Sequence, residues 1–213
     1  MAAVAARLKP RKVPKQHRAW QTRERFLDAA ARVFARHGYS AGTTNRIAEE
    51  AGASVGSLYQ YFPNKDAILV ALIRRHIDEG ARIFASRLAG TEDLSLLERL
   101  PVFVDAVLEN HAGDPRLHQV LFEEAPRPPE LLEELRNLEV AIVGAVEALI
   151  RADDEIEVDD PALTARLVVI AIESLVHRYI SSEFDRLDLD AFRREVITML
   201  VRYLQPVPAK SVS

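Results

Sequence analysis

Apolar residues return at intervals of three to four positions through most of this chain, and nowhere does a run of β-branched residues alternate with polar ones. That period places them on one face of a helix, and the missing alternation removes the half-buried strand from consideration. From Thr22 the pattern runs Phe26, Ala29, Ala30, Val33 and Phe34, with Arg23, Arg25, Arg32 and Arg36 turned elsewhere around the axis. Gly38 is expected to end this helix as a residue tolerant of positive φ. A second helix is expected from Thr43 or Thr44 as N-cap to Ala51, and a third from Val55 to Tyr61 with Ser54 as its cap. Pro63 forbids continuation, and Asn64 caps a fourth helix with Asp66 in its first turn. Beyond it the pattern predicts helices over 94–110, 115–124, 129–151, 161–182 and 189–204. The breaks fall at Gly90, at Gly113-Asp114-Pro115, at the Pro126–Pro129 cluster and at the acidic loop 153–160. The expected fold class is all-α, with about nine helices in total.

Charge divides the chain more sharply than hydropathy does. Residues 1–62 hold 11 Lys/Arg against 4 Asp/Glu, while the rest holds 17 against 28, so a net +7 front precedes a net −11 back. Only the front is suited to a polyanion; a basic tail merely solvated by water is the alternative. The expected organisation is a flexible basic arm at 1–20, a small helical domain at 21–66 and a larger helical body at 67–213. There is no Cys, which removes disulfides, thiolate metal sites and a Cys nucleophile together. No apolar run is long enough for a membrane span, and Arg7 and Lys9 interrupt the Ala-rich start before a signal sequence forms. A cytoplasmic protein is therefore expected.

The stretch from Thr43 to Lys65 reads TTNRIAEEAGASVGSLYQYFPNK. Two short helices joined by Ala51-Gly52-Ala53-Ser54 have the layout of a helix-turn-helix. Ile47, Ala48, Ala51, Val55 and Leu58 are the expected core. Gly56, Ser57, Tyr59, Gln60 and Tyr61 are then left for the outer face of the third helix, where a carboxamide and several hydroxyls can meet base edges or phosphates. Gly56 allows close backbone approach, and Gln60 suits an adenine edge. Thr43 and Thr44 lie at a helix N-terminus, where N–H groups favour a phosphate, and Lys65 is expected to act likewise from the start of the fourth helix. For Thr43 a plain N-cap is an equal alternative, and for Tyr59 and Tyr61 the alternative is packing beneath the helix.

These positions resemble the N-terminal domain of the TetR family of bacterial transcriptional regulators. The resemblance rests on Thr43-Thr44, Ile47-Ala48, Ala51-Gly52, the run Gly56-Ser57-Leu58-Tyr59-Gln60-Tyr61-Phe62, and Lys65, preceded by Phe26, Ala30, Phe34 and Gly38-Tyr39. It covers about residues 20–70. Tyr61 stands where many members have His, and Asn45 occupies a place that carries a base-reading residue in some. The resemblance implies a repressor released from a palindromic operator on duplex DNA by a small-molecule effector, with the C-terminal helices forming an effector cavity and a two-fold dimer interface. A constitutive DNA-binding regulator without effector and a helical ligand-binding enzyme are the alternatives.

Residue patterning agrees with part of that. The segments 161–182 and 189–204 carry more apolar residues than a helix with one wet side needs, so they are expected to join two copies as a homodimer; burial within one chain is the alternative. Paired recognition helices would then read half-sites ~34–36 Å apart. For the effector pocket the candidates are Phe84, Phe103, Val107 and Phe122 as apolar lining, Glu173 and His177 as polar groups on an apolar helix, and His111 and His118 flanking the Gly113-Asp114-Pro115 turn; simple core, a satisfied buried pair and a solvent-facing His are the alternatives. Glu173 and His177 share a helix face and could pair. No His-Glu-x-x-His, Gly-rich phosphate loop, Gly-x-Ser-x-Gly or catalytic Cys is present, so no enzyme, no metal and no cofactor is expected.

Overall fold

The computed structural model describes residues 17–181 and 188–205. The expected basic arm lies outside the described residues up to position 16. Nine α-helices and no strand occur among the described residues: α1 (His17–Ala41), α2 (Thr44–Glu50), α3 (Val55–Tyr61), α4 (Lys65–Leu88), α5 (Leu96–His111), α6 (Pro115–Gln119), α7 (Pro129–Ala152), α8 (Pro161–Ile180) and α9 (Leu189–Leu204). A π-helical turn, Val120–Glu124, follows α6 and replaces the continuous helix expected over 115–124. The predicted end of the eighth helix at Ser182 also lies outside the described residues.

The helix starts are fixed by side-chain oxygens that accept otherwise unpaired N–H groups. Thr43 caps α2 by accepting from Arg46 N, Ser54 caps α3 from Ser57 N, and Asn64 Oδ1 accepts from Ala67 N at 2.8 Å in α4. Ser95 and Glu98 form a reciprocal capping box that starts α5 at Leu96 rather than at Leu94. α1 begins five residues before the expected Thr22 and continues past Gly38 to Ala41. Gly38 is nevertheless a break, at φ 72° and ψ 171°, a conformation that a side chain resists.

The described residues group into two compact units, 17–79 with Gly113–Leu132, and Gly80–Ala112 with 133–181 and 188–205. In the first unit the segment 115–124 packs with α1 and the start of α4 is tied to it through Lys65 and Tyr39, while Phe26, Phe34, Ile68, Leu69, Val120 and Leu121 are all buried. Arg116 and Glu124 form an ion pair beside Gly38, whose missing Cβ leaves room for both side chains.

The second unit has its own core, built from Leu100, Val104 and Val107 of α5, Val168, Ile172 and Val176 of α8, and Val196, Leu200 and Leu204 of α9. Spacings of three and four carry these residues down single faces. Arg193 of α9 and Asp105 of α5 are joined by two charge-assisted hydrogen bonds, and Tyr179 stacks on Phe192 at 4.3 Å. α8 carries a second apolar stripe, Leu163, Leu167 and Ile170, which is exposed, and α9 exposes Met199 and Tyr203 one turn apart. No described helix is long and apolar enough to cross a membrane.

Candidate nucleic-acid interface

α2 ends in a turn that reverses the chain within four residues. Gly52, at φ 61°, follows the C-cap Ala51, while Gly52 N donates to Glu49 O and Ala53 N to Ala48 O, each at 2.9 Å. These two bonds satisfy the last carbonyls of α2 in the Schellman pattern. Ile47, Ala48, Ala51 and Leu58 fill the crossing between α2 and α3 and are buried. Two ion pairs hold α2 on α1, from Arg32 Nε and Arg36 Nη2 to the two oxygens of Glu50, each 2.7 Å. The hydrogen bond from Arg32 is the chief reason that the half-buried Glu50 carboxyl titrates below its usual range.

The buried face of α3 is Leu58 and Tyr61, and this corrects the expected position of Tyr61. Residues three apart share a helix face, so Tyr61 follows Leu58 inward and its ring meets Phe26 at 5.9 Å between centroids. Val55, Gly56, Tyr59 and Gln60 are exposed and Ser57 is half-buried. Val55, expected in the core, is thus on the outer face. Tyr59 does not stand alone, since its hydroxyl lies 3.1 Å from Thr44 Oγ1 and joins α3 to the first turn of α2. Thr43 and Asn45 are exposed, with Arg46 beside them. Sequence reasoning does not single out Arg46, although its place between Asn45 and the buried Ile47 puts it on the outer side of α2.

Lys65 is also placed differently from expectation. Its Nζ donates to Tyr39 O at 2.9 Å and Ser40 O at 3.2 Å and lies 4.1 Å from the centre of the Tyr39 ring. The ammonium is therefore held on carbonyls at the end of α1, where a cation is favoured. The Tyr39 hydroxyl donates to Asp66 Oδ1 on the next residue. Burial, then the hydrogen bond and the negative charge of Asp66, push the Tyr39 phenol well above its ordinary pKa. Tyr39, Lys65 and Asp66 together lock the end of α1 to the start of α4.

An end-capped pair of short helices, pinned from behind and presenting neutral hydrogen-bonding groups on the second helix, is suited to enter a major groove. Comparison with known proteins agrees. The profile of bacterial regulatory proteins of the tetR family matches residues 26–72, and that of the tetracyclin repressor-like C-terminal domain matches residues 95–204. The chain belongs to the TetR family. It is a DNA-binding transcriptional regulator. Among its relatives is the HTH-type transcriptional activator FasR of Mycolicibacterium smegmatis, 30% identical over 156 residues that cover 72% of this chain and 70% of the relative. The fatty acid metabolism regulator protein of Bacillus subtilis is 25% identical over 186 residues, 83% of this chain and 92% of the relative. The same fold occurs in the transcriptional regulator FadR from Bacillus subtilis, solved in complex with stearoyl-CoA, with a TM-score of 0.68, 24% identity, and 85% and 99% of the two chains covered. A TetR-like regulator from Rhodococcus superposes with a TM-score of 0.69 at 21% identity, over 90% of this chain and 97% of that one.

The residues expected to line an effector pocket of this TetR-family chain fall into two sets. Phe84, Phe103, Val107, His111, Glu173 and His177 belong to the second unit, His118 and Phe122 to the first. Val107 is in the core of the second unit, with Phe84 and Phe103 packed against it. Glu173 and His177 do pair, Oε2 to Nε2 at 3.2 Å. His111 and His118 are both buried and not turned to solvent at the ends of the Gly113 turn. His118 stacks on Phe122 at 4.7 Å. His111 Nδ1 lies 2.8 Å from Val107 O, and its ring centre 4.5 Å from that of His177.

Proposed function

We propose that this TetR-family regulator is a homodimeric repressor in which two copies of α3 read the half-sites of a palindromic operator and leave it when a small-molecule effector binds. The observation that carries the reading is the division of α3 into a buried Leu58–Tyr61 face and an outer face of Val55, Gly56, Ser57, Tyr59 and Gln60. Gln60 is assigned to an adenine edge and Val55 to a thymine methyl. Ser57, Thr43, Thr44, Asn45, Arg46 and the Tyr59 hydroxyl are assigned to neighbouring bases and phosphates. Lys65 and Tyr61 act as positioning residues, holding α4 and α3 in place.

Dimerisation is assigned to the exposed Leu163–Leu167–Ile170 stripe of α8 and to Met199 and Tyr203 of α9, since apolar rows of this length on two terminal helices are covered by a second copy in a four-helix arrangement. For the effector, the names of two relatives point to fatty-acid metabolism and to an acyl-CoA thioester. A long acyl chain suits the apolar second unit, with contacts to Phe84, Phe103 and Val107. Binding shifts the population toward a state whose half-site spacing no longer fits DNA.

The test is fluorescence anisotropy on duplex fragments tiling the region upstream of the chain's own gene, with random competitor DNA. Tight binding to one palindromic fragment, lost on adding stearoyl-CoA and kept on adding coenzyme A alone, supports the reading. Binding that resists every acyl-CoA chain length removes the effector assignment, and binding no tighter than to competitor at every fragment removes self-regulation. One relative is named an activator, so a reporter fused to the bound promoter decides the sign of regulation.

A further inference from the structure

Within the second unit, α5 and α8 pack together and bring two imidazoles into contact. His111 ends α5 and is buried, and His177 lies in the last turn of α8 with part of its ring exposed. Ring nitrogens of the two lie within 4.8 Å of one another. Two histidines in ring contact beside Val107, Ile172 and Val176 contribute less to an apolar core than two leucines would, so packing alone is a poor reason for the pair.

We propose that His111 and His177, supported by Glu173, form a binding site for a late first-row divalent ion of the Zn2+, Co2+ or Ni2+ type. Imidazole nitrogen is the donor these ions favour. His111 Nδ1 donates to Val107 O at 2.8 Å, so the second ring nitrogen carries the lone pair. His177 Nε2 is turned to Glu173 Oε2 at 3.2 Å, one helical turn back. Such an acceptor behind each imidazole is the arrangement that orients histidine ligands and raises their basicity. Two nitrogens on one tetrahedral ion stand about 3.3 Å apart, so a small rotation of the half-exposed His177 ring closes the site. The remaining positions are open to water, and the carboxylate of Glu173 offsets part of the ion's charge. Reading by sequence spacing misses this pair because its members are far apart in the chain and lack a metal-ligand motif.

The site is independent of the operator and effector assignments, and its test needs no DNA. ZnCl2 is titrated calorimetrically into the untagged full-length chain, and CoCl2 is followed by visible absorption. The expected result is saturable binding of a single ion per chain, with a Co2+ ligand-field band. His177→Ala is expected to weaken it roughly tenfold or more, and Glu173→Gln roughly tenfold, while His37→Ala, at an exposed position of α1, leaves it unchanged. Since His177 is partly exposed, its variant is expected to keep the helical circular dichroism of the parent, which is measured alongside. No saturable binding, or equal affinity in the parent and His177→Ala, overturns the proposal.

Discussion

Replacing Lys65 by Met keeps the apolar stem and removes the ammonium, so it separates a structural cation from one kept for DNA. In this fold the ammonium donates to Tyr39 O and Ser40 O and rests on the Tyr39 ring. Hydrogen bonds from a charged donor are worth about 1.5–3 kcal/mol each where well shielded, and a cation over an exposed ring about 0.5–1 kcal/mol. Lys65 is only half-buried, so solvent screening brings the combined loss down to about 2 kcal/mol. For a chain of this size that corresponds to a fall in Tm of roughly 4–8 °C. The assay pairs a thermal melt with the slope of log affinity against log salt on an operator fragment. Each phosphate that a variant no longer neutralises lowers that slope by about 0.9. Lys65→Met is expected to melt earlier with its salt slope unchanged, whereas Arg46→Ala is expected to reduce the slope by about 0.9 with its Tm unchanged. An unaltered Tm for Lys65→Met together with a slope smaller by about one unit would refute the reasoning.

Gly38→Ala is expected to destabilise by about 1–3 kcal/mol, because φ 72° with ψ 171° excludes a side chain and its Cβ would stand 3.2 Å from Glu124 Oε2; a urea melt superimposable on the parent would contradict this. The Tyr39 phenol has a raised pKa in the folded chain, so its contribution is complete below the unfolded value of about 10 and is lost as pH rises through the folded value. Urea melts from pH 8 upward should therefore show stability declining above about pH 10, with a shallower decline in Tyr39→Phe; parallel curves would count against the burial of the phenol and its hydrogen bond to Asp66.

Much of the fold could be read in the sequence because its signals are local. The caps at Thr43, Ser54 and Asn64, the stop at Gly52 and the period through Phe26, Ala30 and Phe34 depend on residues within a turn of one another. Tyr61 is the exception, placed on the wrong face even though local reasoning suffices: it stands three residues after Leu58, and that spacing sends both inward. Lys65 could not be placed from sequence, nor could the bond between the Tyr59 and Thr44 hydroxyls be foreseen, since these partners are set by tertiary packing. The same holds for His111 and His118, which flank a polar turn in the sequence and are buried in the fold. The segment 115–124 reads as one amphipathic helix, and nothing in its composition announces the i→i+5 bond from Ala125 N to Val120 O that closes a π-helical turn.

The most direct measurement is a base-substitution scan of the operator half-site, comparing the parent with Gln60→Ala. If α3 reads the groove through its outer face, the parent loses affinity at each base pair it reads, and Gln60→Ala abolishes discrimination at one adenine per half-site, worth about 1–3 kcal/mol, while keeping the rest of the profile. An identical profile for both proteins would show that Gln60 does not face a base and that the orientation assigned to α3 is wrong.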